Sequence, residues 1–320
     1  MNLPPIDAVP GMVEPAEWDL LVDSAMSADL SGGASVVEFG AYFGRSTRAL
    51  WTGLLDNDGF DPGRKTALLH TFDVFSCVES GYFAAHVRRD AQAARIGHLL
   101  NARDGRLDFS GAFDHFARQM PHSNLLERHI ASLTDARHDG SPIALMHVDA
   151  PKFYDEYLLV LRHFAPFAKP RSLILLQDFF YQWSATLIAA VMLLVRDGIF
   201  QPEETAASTL MVRLRRPLTP EEVEDFHRRY LASDVDTLLA AAVDFFRGFD
   251  MDRKADFLPR LHLAAVQYHH ERGHHVRAAE WLHRLCIGEQ LMGIAAARDL
   301  CDLVACDFSI RRFYQLDTAG

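Results

Sequence analysis

The feature that most constrains the fold is a turn with two glycines that follows an apolar run near the start of the chain. Residues 36–39 read Val-Val-Glu-Phe, Gly40 and Gly44 come next, and a helix-forming stretch continues to Trp51. Glycine allows a sharp turn and a close approach of the backbone to a ligand. A strand, a glycine turn and a helix start are the parts from which a parallel sheet builds a nucleotide site.

The spacing of this turn separates it from the dinucleotide-binding fingerprint. The residues follow the pattern E-x-G-x-x-x-G, whereas nicotinamide and flavin folds use G-x-G-x-x-G. Glu38 is placed at the carboxyl end of the strand to accept hydrogen bonds from a ligand, and Ser46 and Thr47 are suited to cap the helix. A tight turn without a ligand is the alternative, so other segments must decide.

Three later apolar segments also end in an acid. They are residues 68–73, which end in Asp73, residues 143–149, which end in Asp149, and residues 172–178, which end in Asp178. Ligands of open α/β sheets bind outside the carboxyl ends of the strands. We therefore expect these three acids and Glu38 to converge on one crevice.

These segments resemble the class I S-adenosylmethionine-dependent methyltransferases, and most nearly the macrocin-type O-methyltransferases. The similar stretches are VVEFGAYFGRST (36–47), TFDVFS (71–76) and HVDAPKFYDEYLLVLRHFAPFAKPRSLILLQDF (147–179), within a resemblance that spans residues 36–216. The resemblance implies a doubly wound, mostly parallel seven-stranded α/β sheet of the Rossmann-like type. It also implies S-adenosylmethionine as cofactor and methyl transfer to a small molecule, expected at oxygen.

The resemblance further implies roles for individual residues. The cofactor-binding residues would be Glu38, Gly40, Tyr42 and Gly44 at the methionine part, Ser46 and Thr47 at the helix start, Asp73 at the ribose and Asp135 near the adenine. Tyr181 and Trp183 follow Asp178 at the mouth of the crevice and are the better candidates for a substrate wall. Tyr154 is a further substrate candidate that could instead pack within a helix.

The catalytic centre departs from the family's pattern. Gln177-Asp178 stands where the family has two adjacent acids, and Arg171 with its neighbour Ser172 stands where the family usually has two glycines. Asp149 is the candidate base or metal ligand, Asp178 would orient the acceptor, and Gln177 would be a neutral hydrogen-bonding substitute. Two carboxylates and an amide attract Mg²⁺ less than three carboxylates. We therefore expect weak or absent Mg²⁺ dependence, and a metal, if bound, would have these three residues as ligands.

Composition excludes several classes of function. The chain has 320 residues, of which 49% are hydrophobic and 23% charged, and its formal net charge is −11. This charge argues against nucleic acid as a partner, and the apolar run at residues 187–195 is too short to span a bilayer. The start of the chain lacks the pattern of a secretory signal, and the cysteines show no C-x-x-C spacing. We expect a cytoplasmic protein with reduced thiols at Cys77, Cys286, Cys301 and Cys306.

The chain divides into three expected parts. They are an N-terminal helical segment (1–34), a methyltransferase-like domain (35–217) with a helical insert at about 77–126, and an all-helical C-terminal domain (218–320). The insert could serve as a lid or substrate wall, or be only structural. The helical tail needs a partner surface, either the first domain or a second copy of the chain, which leaves a homo-oligomer open.

Two histidine patterns have structural interpretations. His270 and His274 match the H-E-x-x-H signature of zinc proteases, but Gly273 inside the motif is typical of a break between two helices. We therefore expect no zinc in the tail. His147 lies on a predicted core strand, and we expect a buried histidine with a hydrogen-bonding partner rather than a catalytic base.

Two other functions stay open at this stage. The fold could have kept its cofactor pocket and taken up chemistry other than methyl transfer, because fold does not dictate function. Alternatively, the sheet domain could be a scaffold whose helical tail binds other proteins.

Overall fold

The computed structural model describes residues 8–293 and residue 296, and this part of the chain forms ten strands and ten α-helices. The strands are β1 (Ser35–Phe39), β2 (Leu69–Asp73), β3 (Ser76–Val78), β4 (Asn101–Arg103), β5 (Arg106–Asp108), β6 (Leu126–Ile130), β7 (Ile143–Val148), β8 (Ala168–Leu176), β9 (Phe200–Ala206) and β10 (Thr209–Leu214). The helices are α1 (Pro15–Ser27), α2 (Arg45–Leu55), α3 (Tyr82–Ala93), α4 (Ser110–Ala117), α5 (Tyr154–His163), α6 (Ala185–Arg196), α7 (Pro220–Ala232), α8 (Val235–Gly248), α9 (Lys254–Glu271) and α10 (His275–His283). Cys301, Cys306 and the end of the expected helical domain lie outside the described residues.

Seven strands form one sheet in the order β6-β2-β1-β7-β8-β10-β9. The first five are parallel, and β10 runs antiparallel to both β8 and β9. The expected doubly wound, mostly parallel fold is confirmed, and the antiparallel pair β10-β9 forms one edge of the sheet. The chain leaves β1 toward β2 on one side and returns to β7 on the other, so the strand order reverses between β1 and β7. Ligands of such sheets bind at this reversal, outside the carboxyl ends of the strands.

Helices cover both faces of the sheet, which explains why β1 and β7 are buried along their whole length. On one face, α1 and α2 pack with the sheet in a core that includes Leu21, Trp51 and Leu54. On the other face, α5 and α6 form a core that continues without interruption into α7, α8 and α9. The helical tail therefore packs on the first domain. Nearly all of α6 is buried, and no helix in the described part is long and apolar enough to cross a membrane.

The insert between β2 and β6 is more than the helical segment that the sequence predicted. Besides α3 and α4 it contains a small antiparallel sheet, β3-β5-β4. Each of these strands has only three residues, too few for a strand pattern to be recognised. The insert packs Phe109 and Phe113 into one buried cluster with Phe43, which belongs to the glycine turn. It therefore braces that turn from the side.

The H-E-x-x-H motif spans a break between helices, as predicted. Helix α9 ends at Glu271, Gly273 has a φ of 72°, and α10 begins at His275. His270 is in the last turn of one helix and His274 precedes the next, so the two histidines do not share a helical face. The single-helix zinc site of the protease signature is not formed.

Gly53 allows the close contact between α1 and α2. A methyl group added at Gly53 would lie 2.0 Å from the carbonyl oxygen of Val22 and 2.9 Å from the Cβ of Ala25. We expect Gly53→Ala to lower the free energy of unfolding by about 3 kcal/mol, because the helices must separate. Gly248→Ala is the matched control, since Gly248 also lies in a helix and has no atom within 4 Å of the added group. Urea unfolding followed by circular dichroism should show little loss for Gly248→Ala, and equal effects in the two variants would contradict this account.

Candidate functional site

Asp73, at the end of β2, ties the glycine turn to its neighbour strand. One carboxylate oxygen accepts hydrogen bonds from the backbone N–H groups of Ala41 (2.9 Å) and Tyr42 (3.0 Å), and the other accepts one from the N–H of Phe75 (2.7 Å). Burial raises the pKa of Asp73 to about 6, although these backbone donors favour the charged form. Asp73, the residue predicted to bind the ribose, therefore also fixes the conformation of the glycine turn.

The two glycines of the turn stand where side chains would not fit. Gly40 has a φ of 84°, and an added Cβ would lie 2.9 Å from the backbone nitrogen of Ala150. Gly44 has a φ of 95° and is the N-cap of α2. Tyr42, predicted to contact the cofactor, stacks on Phe43 with ring centroids 4.2 Å apart and donates from its hydroxyl to Asp90. Its side chain packs against the insert.

Glu38 is fully buried and bonds to the protein itself. Its Oε2 accepts hydrogen bonds from the hydroxyl groups of Thr47 (2.6 Å) and Thr71 (2.9 Å), and its Oε1 lies 3.5 Å from Nδ1 of His147. A ligand contact at Glu38 stays a prediction, and in this structure the two threonine hydroxyl groups bind its Oε2. Thr47 and the buried Ser46 do not cap the helix, because α2 begins at Arg45 after Gly44.

Gln177 extends this buried polar chain. Its side-chain oxygen lies 2.8 Å from Nε2 of His147, and only 5% of the residue is exposed. Burial alone would lower the pKa of His147, but Glu38, Asp149 and Gln177 together raise it above its usual value. The expected buried histidine with a partner is confirmed. Gln177 points into this chain, so it does not join Asp149 and Asp178 in the metal-ligand set considered from the sequence.

A lysine lies between the two catalytic candidates. Nζ of Lys152 is 2.7 Å from Oδ1 of Asp149 and 2.6 Å from Oδ2 of Asp178. The lysine side chain is only 4% exposed, whereas those of the two acids are 26% and 20% exposed. Asp149 and Asp178 follow neighbouring parallel strands, so their convergence is confirmed. The ammonium group supplies the positive charge that a divalent cation would otherwise supply between them.

The start of α5 holds Lys152 in this position. The carboxylate of Glu156 accepts hydrogen bonds from the backbone N–H groups of Lys152 (2.8 Å) and Phe153 (3.1 Å). Burial raises the pKa of Glu156. Because Glu156 in the first turn of α5 binds its backbone N–H, Lys152 is held just before the helix. Its side chain extends between Asp149 and Asp178.

Helix α1 adds a second acid behind Asp178. Glu17 is 3% exposed and accepts hydrogen bonds from the hydroxyl groups of Ser208 (2.7 Å) and Thr209 (2.9 Å). The Ser208 oxygen is also 3.3 Å from Oδ1 of Asp178, and burial raises the pKa of Glu17. The N-terminal helix therefore contacts the residues beside Asp178 and also packs on α2.

Apolar side chains lie exposed beside Asp73. Val74 follows it and is 42% exposed, and Ile130 on β6, which is the register partner of Asp73, is 60% exposed. Asp135, predicted near an adenine, is exposed in the loop after β6 and accepts a hydrogen bond from the hydroxyl of Ser132 (2.6 Å). This edge combines an acid with an uncovered apolar surface.

A cavity of about 720 Å³ lies between the first domain and the helical tail. Two of the predicted substrate residues, Tyr154 and Trp183, line it together with Tyr230 of α7. Tyr181 instead stacks on the Trp183 ring, with the ring centroids 4.4 Å apart. The guanidinium of Arg260 lies over the Tyr181 ring, 4.6 Å from its centroid. The indole N–H of Trp183 is buried and has no hydrogen-bond partner among the described residues. The volume of this cavity is typical of small-molecule sites.

The sequence of residues 37–179 matches the model of a family described as a methyltransferase domain. These residues form a methyltransferase domain. The match runs from β1 through the catalytic edge after β8, so it includes the glycine turn, Asp73, Asp149 and Asp178. Gly40 to Asp178 therefore lie within the matched segment, and α7 to α10 lie beyond it.

The chain is similar to solved structures of O-methyltransferases and of an N-methyltransferase. They include NovP (15% identity, covering 65% of this chain and 82% of that chain, TM-score 0.44), the TDP-rhamnose 3'-O-methyltransferase CalS11 of calicheamicin biosynthesis (17%, 63% and 81%, 0.38), and an O-methyltransferase from Bacillus cereus in complex with SAH (12%, 66% and 86%, 0.36). None of the curated proteins compared with the chain matches it significantly. The assignment of the methyltransferase domain rests on the family match rather than on these weak structural similarities.

Sequence reasoning missed Lys152 and Glu17. Lys152 lies only three residues after Asp149, but a charged loop residue is usually exposed, and only the acids were considered. A lysine directly after Pro151, between two strand-end acids, was the available signal. Glu17 carried none, because its partners are nearly 200 residues away in the sequence.

We expect Asp73→Ala to destabilise the protein by about 2–4 kcal/mol at pH 7, because three backbone N–H groups lose their acceptor. Asp73→Asn should lose less, since it keeps one acceptor oxygen. Asp135→Ala is the control and should change the free energy of unfolding by less than about 0.5 kcal/mol, as an exposed substitution does. Urea unfolding measures all three, and an Asp73→Ala effect no larger than that of Asp135→Ala would remove the loop-tying role.

Proposed function

We propose that this methyltransferase transfers the methyl group of S-adenosylmethionine to an oxygen of a small molecule without a catalytic Mg²⁺ ion. The observation that carries the proposal is the pair of acids at the ends of β7 and β8 with the Lys152 ammonium between them. This pair lies on the same sheet edge as the glycine turn and Asp73. The O-methyltransferases among the similar structures support oxygen as the acceptor.

The residues on this edge fit the cofactor. A carboxylate has about four lone-pair positions, and Asp73 uses three of them for backbone N–H groups, so one remains for a ribose hydroxyl. Val74 and Ile130 offer an apolar surface of the kind that an adenine ring covers. The missing Cβ at Gly40 lets the glycine turn pack against the backbone of Ala150, just after β7. Asp73 is therefore the proposed ribose residue and Asp135 the more peripheral one.

S-Adenosylmethionine, when bound, supplies a methyl group that is open to in-line displacement. This chain must hold the acceptor in line and take its proton. Asp149 binds Lys152 through Oδ1, and its Oδ2 is the proposed proton acceptor. Lys152 keeps the two carboxylates together by cancelling their repulsion, and Asp178 is held by the same ammonium and by Ser208. Asp149 is thus the proposed base, whereas Lys152 and Asp178 position it.

The acceptor would enter from the side of the aromatic cavity. Tyr154 and Trp183 lie directly after the Lys152 and Asp178 turns, and their rings line the cavity that the helical tail closes. Aromatic walls with a few polar groups are typical of sites for small organic ligands. A small-molecule acceptor with a planar or ring-shaped body suits this lining.

The proposed role of Asp73 predicts how cofactor affinity depends on pH. If the ionised Asp73 binds the ribose, affinity is full above its pKa of about 6 and falls as the carboxylate protonates below it. Calorimetry with S-adenosylhomocysteine should show binding about tenfold weaker at pH 5 than at pH 7.5. Asp73→Asn should bind more weakly at both pH values and lose this dependence. The same pH dependence in Asp73→Asn would exclude Asp73 as its source.

The proposed roles of Asp149, Lys152 and Asp178 predict the effect of substitutions on turnover. Asp149→Asn should lower turnover of labelled S-adenosylmethionine by at least about 100-fold while the affinity for S-adenosylhomocysteine stays within about twofold, because the ribose contacts are untouched. Asp104→Asn is the matched control and should keep its turnover, because the Asp104 side chain is 85% exposed and lies in the turn between β4 and β5. Treatment with a chelator should leave wild-type turnover intact. If the chelator stops the reaction and Mg²⁺ alone restores it, the metal-free centre is wrong; if the cofactor binds without any methyl transfer, the fold serves another chemistry.

A further inference from the structure

A second group of ionisable side chains lies on the outer strands of the sheet, away from Asp149 and Asp178. His70 is on β2, and Glu127 and His129 are on β6, the edge strand that pairs with β2. Nδ1 of His70 is 3.2 Å from Nε2 of His129 and 3.7 Å from Oε2 of Glu127. One ligand atom from each of the three residues lies within 4.8 Å of the others.

The distance between the two imidazole nitrogens is close to an edge of a zinc polyhedron, and the carboxylate oxygen lies 3.7 Å from His70. Two nitrogens bound to a tetrahedral zinc at about 2.0–2.1 Å lie about 3.3–3.4 Å apart, close to the 3.2 Å between the two imidazole nitrogens. Two imidazoles and a carboxylate are a ligand set that zinc accepts, with a fourth position for water. We propose that His70, Glu127 and His129 form a Zn²⁺ site.

The surroundings prepare the two imidazoles as ligands. The His129 ring stacks on Phe72 with centroids 4.3 Å apart, which fixes its orientation. His138 packs its ring against His70.

The position of the site indicates a structural role. His70 is buried, whereas the side chain of Glu127 is 56% exposed, so the site has an inner wall and an opening to solvent. A bound zinc would cross-link β6 to β2 at the register pair His70–Glu127. The pair Asp73–Ile130 follows three residues later on the same two strands. The metal would therefore hold the edge strand beside the proposed ribose and adenine residues, without taking part in the reaction.

Zinc titration of the full-length, tag-free chain tests this inference after chelator treatment and dialysis. Calorimetry should show one saturable Zn²⁺ site per chain, and Co²⁺ should give the strong visible bands of a tetrahedral complex. His129→Ala and Glu127→Gln should each weaken zinc binding by at least about tenfold. Zinc should raise the melting temperature of the wild type more than that of either variant. Both variants change residues that are not fully buried, and their melting temperatures in chelator verify that they are folded.

His274→Ala is the matched control, because it removes a histidine from the other histidine-rich segment of the chain. It should bind zinc as the wild type does. The absence of a saturable site would show that His70 and His129 share only a hydrogen bond and would overturn the proposal. Zinc binding that survives both β6 variants, or that is lost in His274→Ala, would place the metal elsewhere and overturn it equally.

Discussion

The arrangement of the candidate site depends on the carboxylate of Asp73, which accepts three backbone N–H groups from two different turns. One turn follows β1 and the other follows β2, so this side chain sets the position of the glycine turn relative to the neighbouring strand. A carboxylate that accepts several backbone hydrogen bonds is a strong constraint, because each orphaned N–H would be costly away from water. The insert adds to the constraint by packing Phe109 and Phe113 beside Phe43.

The catalytic edge uses its charges in a different way. Near the glycine turn, four buried polar side chains contact one another in a row: Thr71, Glu38, His147 and Gln177. Asp149 and Asp178, in contrast, are partly exposed and share the Lys152 ammonium. Removing one partner from such a group leaves an uncompensated charge in a mostly buried place. Lys152 thus explains how two acids can face each other across the crevice, and it supports a reaction without a divalent cation.

The sequence predicted the sheet and the convergence of acids because buried parallel strands are continuous apolar runs and their ends meet at one edge. It did not predict where each side chain points. Glu38 lies at the end of β1 as expected, but its hydrogen bonds to Thr47 and Thr71 on neighbouring elements were not predicted. Arg171 stands where the resemblance implies glycine, and it has a φ of 72° inside β8, where the register with β7 shifts. Its residue type gave no sign of this left-handed backbone conformation. Lys152 depended on a tertiary contact between two strand ends, and no local pattern encodes such a contact.

A crystal structure of the full chain with S-adenosylhomocysteine would show which residues hold the cofactor. We predict an arrangement with the ribose hydroxyl groups at Asp73, the adenine against Val74 and Ile130, and Nζ of Lys152 still between Asp149 and Asp178. A nucleoside bound in the cavity of Tyr154 and Trp183 instead, or a divalent cation in place of the Lys152 ammonium, would contradict it.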